Sequence, residues 1–94
     1  MGVLGDTKGT LSSLNPSATF NLQPGTGEEY VIHNIYTSGT IDILMTSSAA
    51  KLTIETTSTN LTGYFIHVTN TQYIQMINKE SGTIIVGYDG IETK

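Results

Sequence analysis

The sequence predicts an all-β protein, a small antiparallel β-sandwich or jelly-roll-like domain of about seven strands with an extended N-terminal arm. Three observations lead there. Threonine, serine, glycine and isoleucine dominate while alanine, glutamate, lysine and leucine are scarce, and Thr and Ile, stiff at Cβ, favour pleated backbone. Apolar residues alternate with polar ones over short runs, and no window carries a capped stripe of helical period and length. Turn residues punctuate the chain at the eight-to-twelve-residue intervals typical of sandwiches and small barrels.

Residues 1–18 are rich in Gly, Ser and Thr, with short apolar groups at Val3-Leu4, Leu11 and Leu14. They read as an arm or a loosely paired edge, leaving 19–94 as a single β domain. After Pro16, Thr19–Leu22 is a short strand with Phe20 and Leu22 on one face. Gln23-Pro24-Gly25-Thr26-Gly27 is turn chemistry, because Pro presets φ and Gly supplies positive φ. Glu29–Thr37 is the clearest strand. Strict alternation puts Tyr30, Ile32, Asn34 and Tyr36 on one face and Val31, His33, Ile35 and Thr37 on the other, and apolar groups on both faces predict a central position.

Ser38-Gly39 is expected to close a hairpin into 40–46, with Ile41, Ile43 and Met45 inward. The strand over 51–56 follows, with Leu52 and Ile54 inward and Lys51, Thr53 and Glu55 outward. Residues 57–63 read as a loop. Strands over 64–69, 72–78 and 83–88 then form a meander that ends at Asp89-Gly90.

Composition narrows the function. A chain of 94 residues fits one domain, and a domain of this size buries only roughly 60–65% of its unfolded surface. The absence of cysteine excludes disulfides, thiolate metal sites and cysteine catalysis, so subunit association is the remaining way to extend the core. All four cationic residues are lysines and the formal net charge is −4, which opposes nucleic-acid binding. No apolar run reaches the length of a membrane helix. The first residues lack the apolar stretch of a signal peptide, and Asp6 stands where a myristoylation signal requires Ser or Thr. Asn60-Leu61-Thr62 has the form of a glycosylation acceptor, read as chance without a secretory signal.

No catalytic or cofactor motif is present. His33 and His67 lack metal-ligand spacing, and Glu29 and His33, on one strand face about 13 Å apart at ~3.3 Å per residue, are too far apart to chelate one ion. Glu28-Glu29 has the form of a solvated strand entrance rather than half of a glycosidase pair. No Gly-x-Ser-x-Gly elbow exists, and Gly25-Thr26-Gly27 precedes neither a lysine nor a helix. The expectation is a non-enzyme without cofactor or metal. Tyr30 and Tyr36 serve either as packing at the sheet rim or as contacts to another chain.

The stretch Leu22-Gln23-Pro24 … Gly27-Glu28-Glu29-Tyr30-Val31-Ile32-His33-Asn34-Ile35-Tyr36 resembles small virion proteins of tailed bacteriophages. So does Thr69-Asn70-Thr71-Gln72-Tyr73-Ile74-Gln75-Met76-Ile77-Asn78 … Gly82 … Gly87-Tyr88-Asp89-Gly90; together they cover about half of the chain. The resemblance is to short β-sandwich proteins that decorate or cement a capsid, or form head fibres. It implies a virion structural protein made in the host bacterial cytoplasm. Its partner would be the major capsid protein or another virion protein, and its state a homo-oligomer, typically a trimer. The expected interaction surface is Val3, Leu4, Leu11, Leu14, Tyr30 and Tyr36. A carbohydrate- or receptor-binding module of a tail or fibre is the alternative, motivated by the tyrosines and the polar loops at 47–50 and 57–63.

Overall fold

The computed structural model describes residues 5–94. Eight strands follow in chain order: β1 (Thr7–Leu14), β2 (Thr19–Leu22), β3 (Glu29–Thr37), β4 (Ile41–Ser47), β5 (Lys51–Thr57), β6 (Leu61–Thr69), β7 (Gln72–Asn78) and β8 (Ile84–Glu92). They make two four-stranded antiparallel sheets, ordered β1-β8-β3-β6 (sheet A) and β2-β7-β4-β5 (sheet B). The pairing is nested. β1 meets β8, β2 meets β7, β3 meets β6 and β4 meets β5. This is a long ribbon folded back on itself and rolled into two layers, the arrangement of a jelly roll. The radius of gyration of 12.6 Å matches the ~12–13 Å expected of one domain of this length.

The core lies between the sheets. Ile32, Ile35 and Val86 from sheet A face Ile41, Ile43, Ile74 and Met76 from sheet B, all fully buried. β4 follows the expected alternation, with Ile41 and Ile43 buried and Met45 packed against them. In β5, Ile54 packs on the core whereas Leu52 is 68% exposed. A one-residue bulge lies between them: Ile43 pairs with Glu55 but Leu44 with Thr53, which leaves Ile54 as the extra residue, and Leu52, paired with Met45 near the start of this edge strand, stays uncovered.

The strand connections differ from the expected hairpin and meander. β3 and β4 lie in different sheets, so Ser38-Gly39 arches across the sandwich. β6, β7 and β8 likewise alternate between sheets. Of the consecutive pairs, β4–β5 alone is a hairpin. Strand and turn signals are local and identical for a hairpin and an arch, whereas sheet assignment depends on which remote strand pairs better. β6 begins at Leu61, inside the expected loop, and β8 runs on to Glu92, past the expected stop at Gly90. There glycine serves close packing instead of termination. A Cβ on Gly90 would run into the Val31 carbonyl and Ile32 Cα, and one on Gly87 into the Thr10 carbonyl.

The expected arm over residues 1–18 also changes character. Residues 7–14 form an edge strand registered against β8 along its whole length, so the loosely paired alternative understates it. Removing residues 1–14 therefore takes away a strand, the buried Leu14 and the cation paired with Glu92, rather than a dispensable arm. That truncation is expected to lose cooperative urea unfolding, and a truncation with an unchanged midpoint would contradict the assignment. Gly90→Ala should destabilise the full chain by roughly 1–3 kcal/mol, the usual cost of overpacking, measured by the same transition.

Candidate functional site

The two outer faces of the sandwich differ in chemistry. Sheet B carries a polar ladder. Gln75 gives its amide to Asn21 Oδ1 at 2.9 Å and receives the Thr46 hydroxyl at 3.2 Å, and Thr56 donates to Asp42 Oδ1 at 2.7 Å. Sheet A instead presents apolar groups to solvent: Leu11 on β1, Ile85 on β8 and Phe65 on β6 are 66%, 51% and 70% exposed. Among the described residues, three of the four large apolar side chains most open to water thus share one face. Scattered surface leucines are ordinary, whereas large apolar groups gathered on one face set sheet A apart from sheet B.

A bulge builds the middle of this face. Ile32 pairs with Gly90 and Asn34 with Asp89, so His33 is the extra residue on β3. Opposite it, β6 spends Gly63, Tyr64 and Phe65 between Ile66 and Thr62, and Gly63 turns the chain in the left-handed region at φ 66°. The bulge reverses the facing of the strand, which is why both Ile32 and Ile35 are buried. It also separates the two tyrosines. Tyr30 packs against the core, while Tyr36 lies on the outer face and donates to Asp89 Oδ2 at 2.5 Å. Asn34 donates to the other carboxylate oxygen at 2.7 Å, and its own carbonyl accepts the Gly63 N–H at 2.9 Å. The His33 ring meets Phe65 edge-on at 5.3 Å between centroids. Three strands are thereby locked into one rigid patch of Tyr36, Asp89, Asn34, His33 and Phe65.

The residues expected at a surface are distributed as follows. Leu11 and Tyr36 are on the outer face of sheet A. Leu14 is 6% exposed and belongs to the core, because alternation from the inward-facing Lys8 brings it inside. Tyr30 does not share a face with Tyr36, owing to the His33 bulge. Val3 and Leu4 lie outside the described residues. Sequence reading passed over Phe65 and Ile85. Their signal was available as apolar residues alternating out of phase with the inward-facing Ile66–Val68 and Ile84–Val86 sets, but it needed the knowledge that this side of the sheet is uncovered.

Titratable groups gather at one end of the sandwich. Glu29 bonds not to His33 but across the sheet, with His67 Nε2 2.8 Å from Oε1 and Lys94 Nζ 3.8 Å from Oε2. The group is solvent-exposed beside a shallow depression lined by Thr26, Glu28, Thr71 and Lys94, the geometry of a surface ion pair. Among the described residues no three His, Asp or Glu side chains converge on a point that could hold a metal ion. Nearby, Glu92 is 1% exposed and its Oε1 is compensated by Lys8 Nζ at 3.3 Å, being otherwise without a partner among the described residues. Lys8 also lies over the Tyr30 ring, 5.7 Å from its centroid. That carboxylate holds the Lys8 ammonium above its ordinary pKa.

Four phenols are raised as well, Tyr36 chiefly by its bond to Asp89 and Tyr30, Tyr64 and Tyr88 by burial. A group whose pKa is higher folded than unfolded stabilises the fold fully below its unfolded value, and that contribution disappears as pH rises through the folded value. Stability should therefore hold to about pH 10, the ordinary tyrosine value, and then fall. Tyr36→Phe and Tyr88→Phe should flatten that decline in urea midpoints measured across the alkaline range; an unaltered slope in both would refute the assignment. Compared with family models and with curated proteins, the chain matches none.

Proposed function

We propose that this chain is a non-catalytic virion structural protein of a tailed bacteriophage, a capsid decoration (cement) protein that strengthens the shell by adding contact area across its joints. The observation that carries the reading is the outer face of sheet A, where Leu11, Ile85 and Phe65 stand exposed around the rigid Tyr36–Asp89–Asn34 patch. An apolar, aromatic-bearing surface rimmed by satisfied polar groups is the composition of a protein contact. Rigidity lowers the entropy lost when such a surface docks. Two further points support the assignment: the resemblance of the 22–36 and 69–90 segments to phage virion proteins, and a jelly-roll sandwich, an architecture used in viral shells. In this reading the partner is the major capsid protein, the protein acts as a homotrimer, and its location is the virion.

A glycan- or receptor-binding module is the second reading. It rests on Tyr36 bonded to the Asp89 carboxylate and on Phe65 exposed against the His33 ring, aromatic groups beside hydrogen-bonding ones.

The deciding experiment is mass spectrometry of density-purified phage particles from cells that encode the chain. The expected result is the chain at the copy number of a shell component, with Phe65→Ser and Ile85→Ser leaving the fold intact but cutting incorporation at least tenfold. Particles devoid of the chain would overturn the proposal. Glycan-array binding that Tyr36→Ala abolishes would transfer support to the second reading.

A further inference from the structure

β1 contributes little to the core. Its inward positions are Lys8, Thr10, Ser12 and Leu14, and of these Leu14 alone is a buried apolar residue. The strand is held by its ladder with β8, by Lys8 on Glu92 and over the Tyr30 ring, by the Leu14 side chain in the core, and by the Asn78 amide donating to the Leu14 carbonyl at 2.9 Å. All of these follow from the sequence and register of β1. None depends on β1 being covalently joined to the β2 of the same sandwich.

That junction is strained. Asn15, Pro16, Ser17 and Ala18 form a tight turn closed by Ala18 N–H to the Asn15 carbonyl at 3.0 Å. Its third residue, Ser17, sits at φ 63° and is the single non-glycine with positive φ among the described residues. A turn with proline second and positive φ third is of type II, which calls for glycine at that place. An edge strand on a short, strained hinge is the arrangement in which exchange between copies is cheapest.

We propose that β1 is exchanged between copies of this chain: β1 of one protomer pairs with β8 of its partner in the same register, and the Asn15–Ala18 hinge straightens. A second copy is the occupant that fits. A vacant β8 would leave the buried Glu92 without its cation and bare a nine-residue edge. Refilling it takes a lysine at the Glu92 end, a leucine beside Ile84 at the other, and a leucine able to lie over Gly87. β1 carries these as Lys8, Leu14 and Leu11. The inference does not rest on the virion reading, since an exchanged oligomer would serve any multivalent binder.

Ser13 and Ile85 face each other across β1 and β8, and both are exposed. Ile85 directs its N–H and carbonyl to Ser38, on the β3 side, so the Ser13–Ile85 pair is a non-hydrogen-bonded one suited to a disulfide. The chain has no cysteine of its own. A Ser13→Cys chain and an Ile85→Cys chain are mixed, refolded together from urea and oxidised, then resolved without reductant. Exchange predicts a covalent heterodimer well above the yield from the off-register Thr7→Cys and Ile85→Cys mixture.

Ser17→Gly, which relieves the closed hinge, should lower that yield about tenfold, the factor that ~1.4 kcal/mol of left-handed strain represents. Ser17→Pro, which cannot adopt the turn, should raise it. A heterodimer no more abundant than the off-register control, or a yield that Ser17→Gly leaves unchanged, would overturn the proposal. If Ser17→Pro fails to fold, the glycine variant and the control still decide.

Discussion

The pairing of β1 with β8 is the constraint on which the rest of the sandwich depends. It joins residues about eighty positions apart, and β8 in turn pairs with β3, so the fourth strand of sheet A is in place only once a first strand has met a last one. Such non-local closure costs loop entropy before it returns any burial. The return is concentrated where the strands must come close. Gly87 and Gly90 let neighbouring backbones approach β8, while Leu11 lies over the first of them. Glu92, buried at the end of β8, is held by a lysine near the start of β1. A charge out of water needs a specific partner, so this pair selects the register as much as it stabilises it.

From that closure follow the two unlike faces. Sheet B covers its outer side with cross-strand hydrogen bonds through Asn21, Gln75 and Thr46. Sheet A accommodates an extra residue at His33 and a glycine turn at Gly63, and the resulting bulge fastens Asn34, Tyr36 and Asp89 together. Leu11, Ile85 and Phe65 stand around that fixed patch without cover of their own. The outer face of sheet A is therefore where this small sandwich leaves large apolar side chains in water. At the β1 edge, a strand poor in apolar groups is held by contacts that another copy can supply equally well.

Several elements were legible in the sequence because their signals are local. The strands at Thr19–Leu22, Glu29–Thr37 and Gln72–Asn78 lie where alternation and turn residues place them, and β4 points Ile41 and Ile43 inward as its pattern requires. β1 was harder to read: Thr, Gly and Ser outnumber its apolar residues, so it lacks the period-two stripe that burial imposes, and its strand character comes from β8. The shared face expected for Tyr30 and Tyr36 failed for a different reason. One inserted residue reverses every later side chain of a strand, and nothing near His33 in the sequence announces the insertion. The Glu29–His67 contact was hidden likewise, because it joins strands in a register that sequence spacing does not contain.

Taken alone, the sequence determined the all-β class, most strand positions, the core residues of β4, and the lack of cysteine and of recognisable catalytic motifs. These rest on composition and on a two-residue period, properties of short segments. The tertiary structure decided which strands share a sheet, where the bulges fall, which apolar side chains stay uncovered, and that the first strand closes on the last. Those outcomes come from competition among distant segments for the same hydrogen-bonding edges and the same buried space. No local pattern encodes its result.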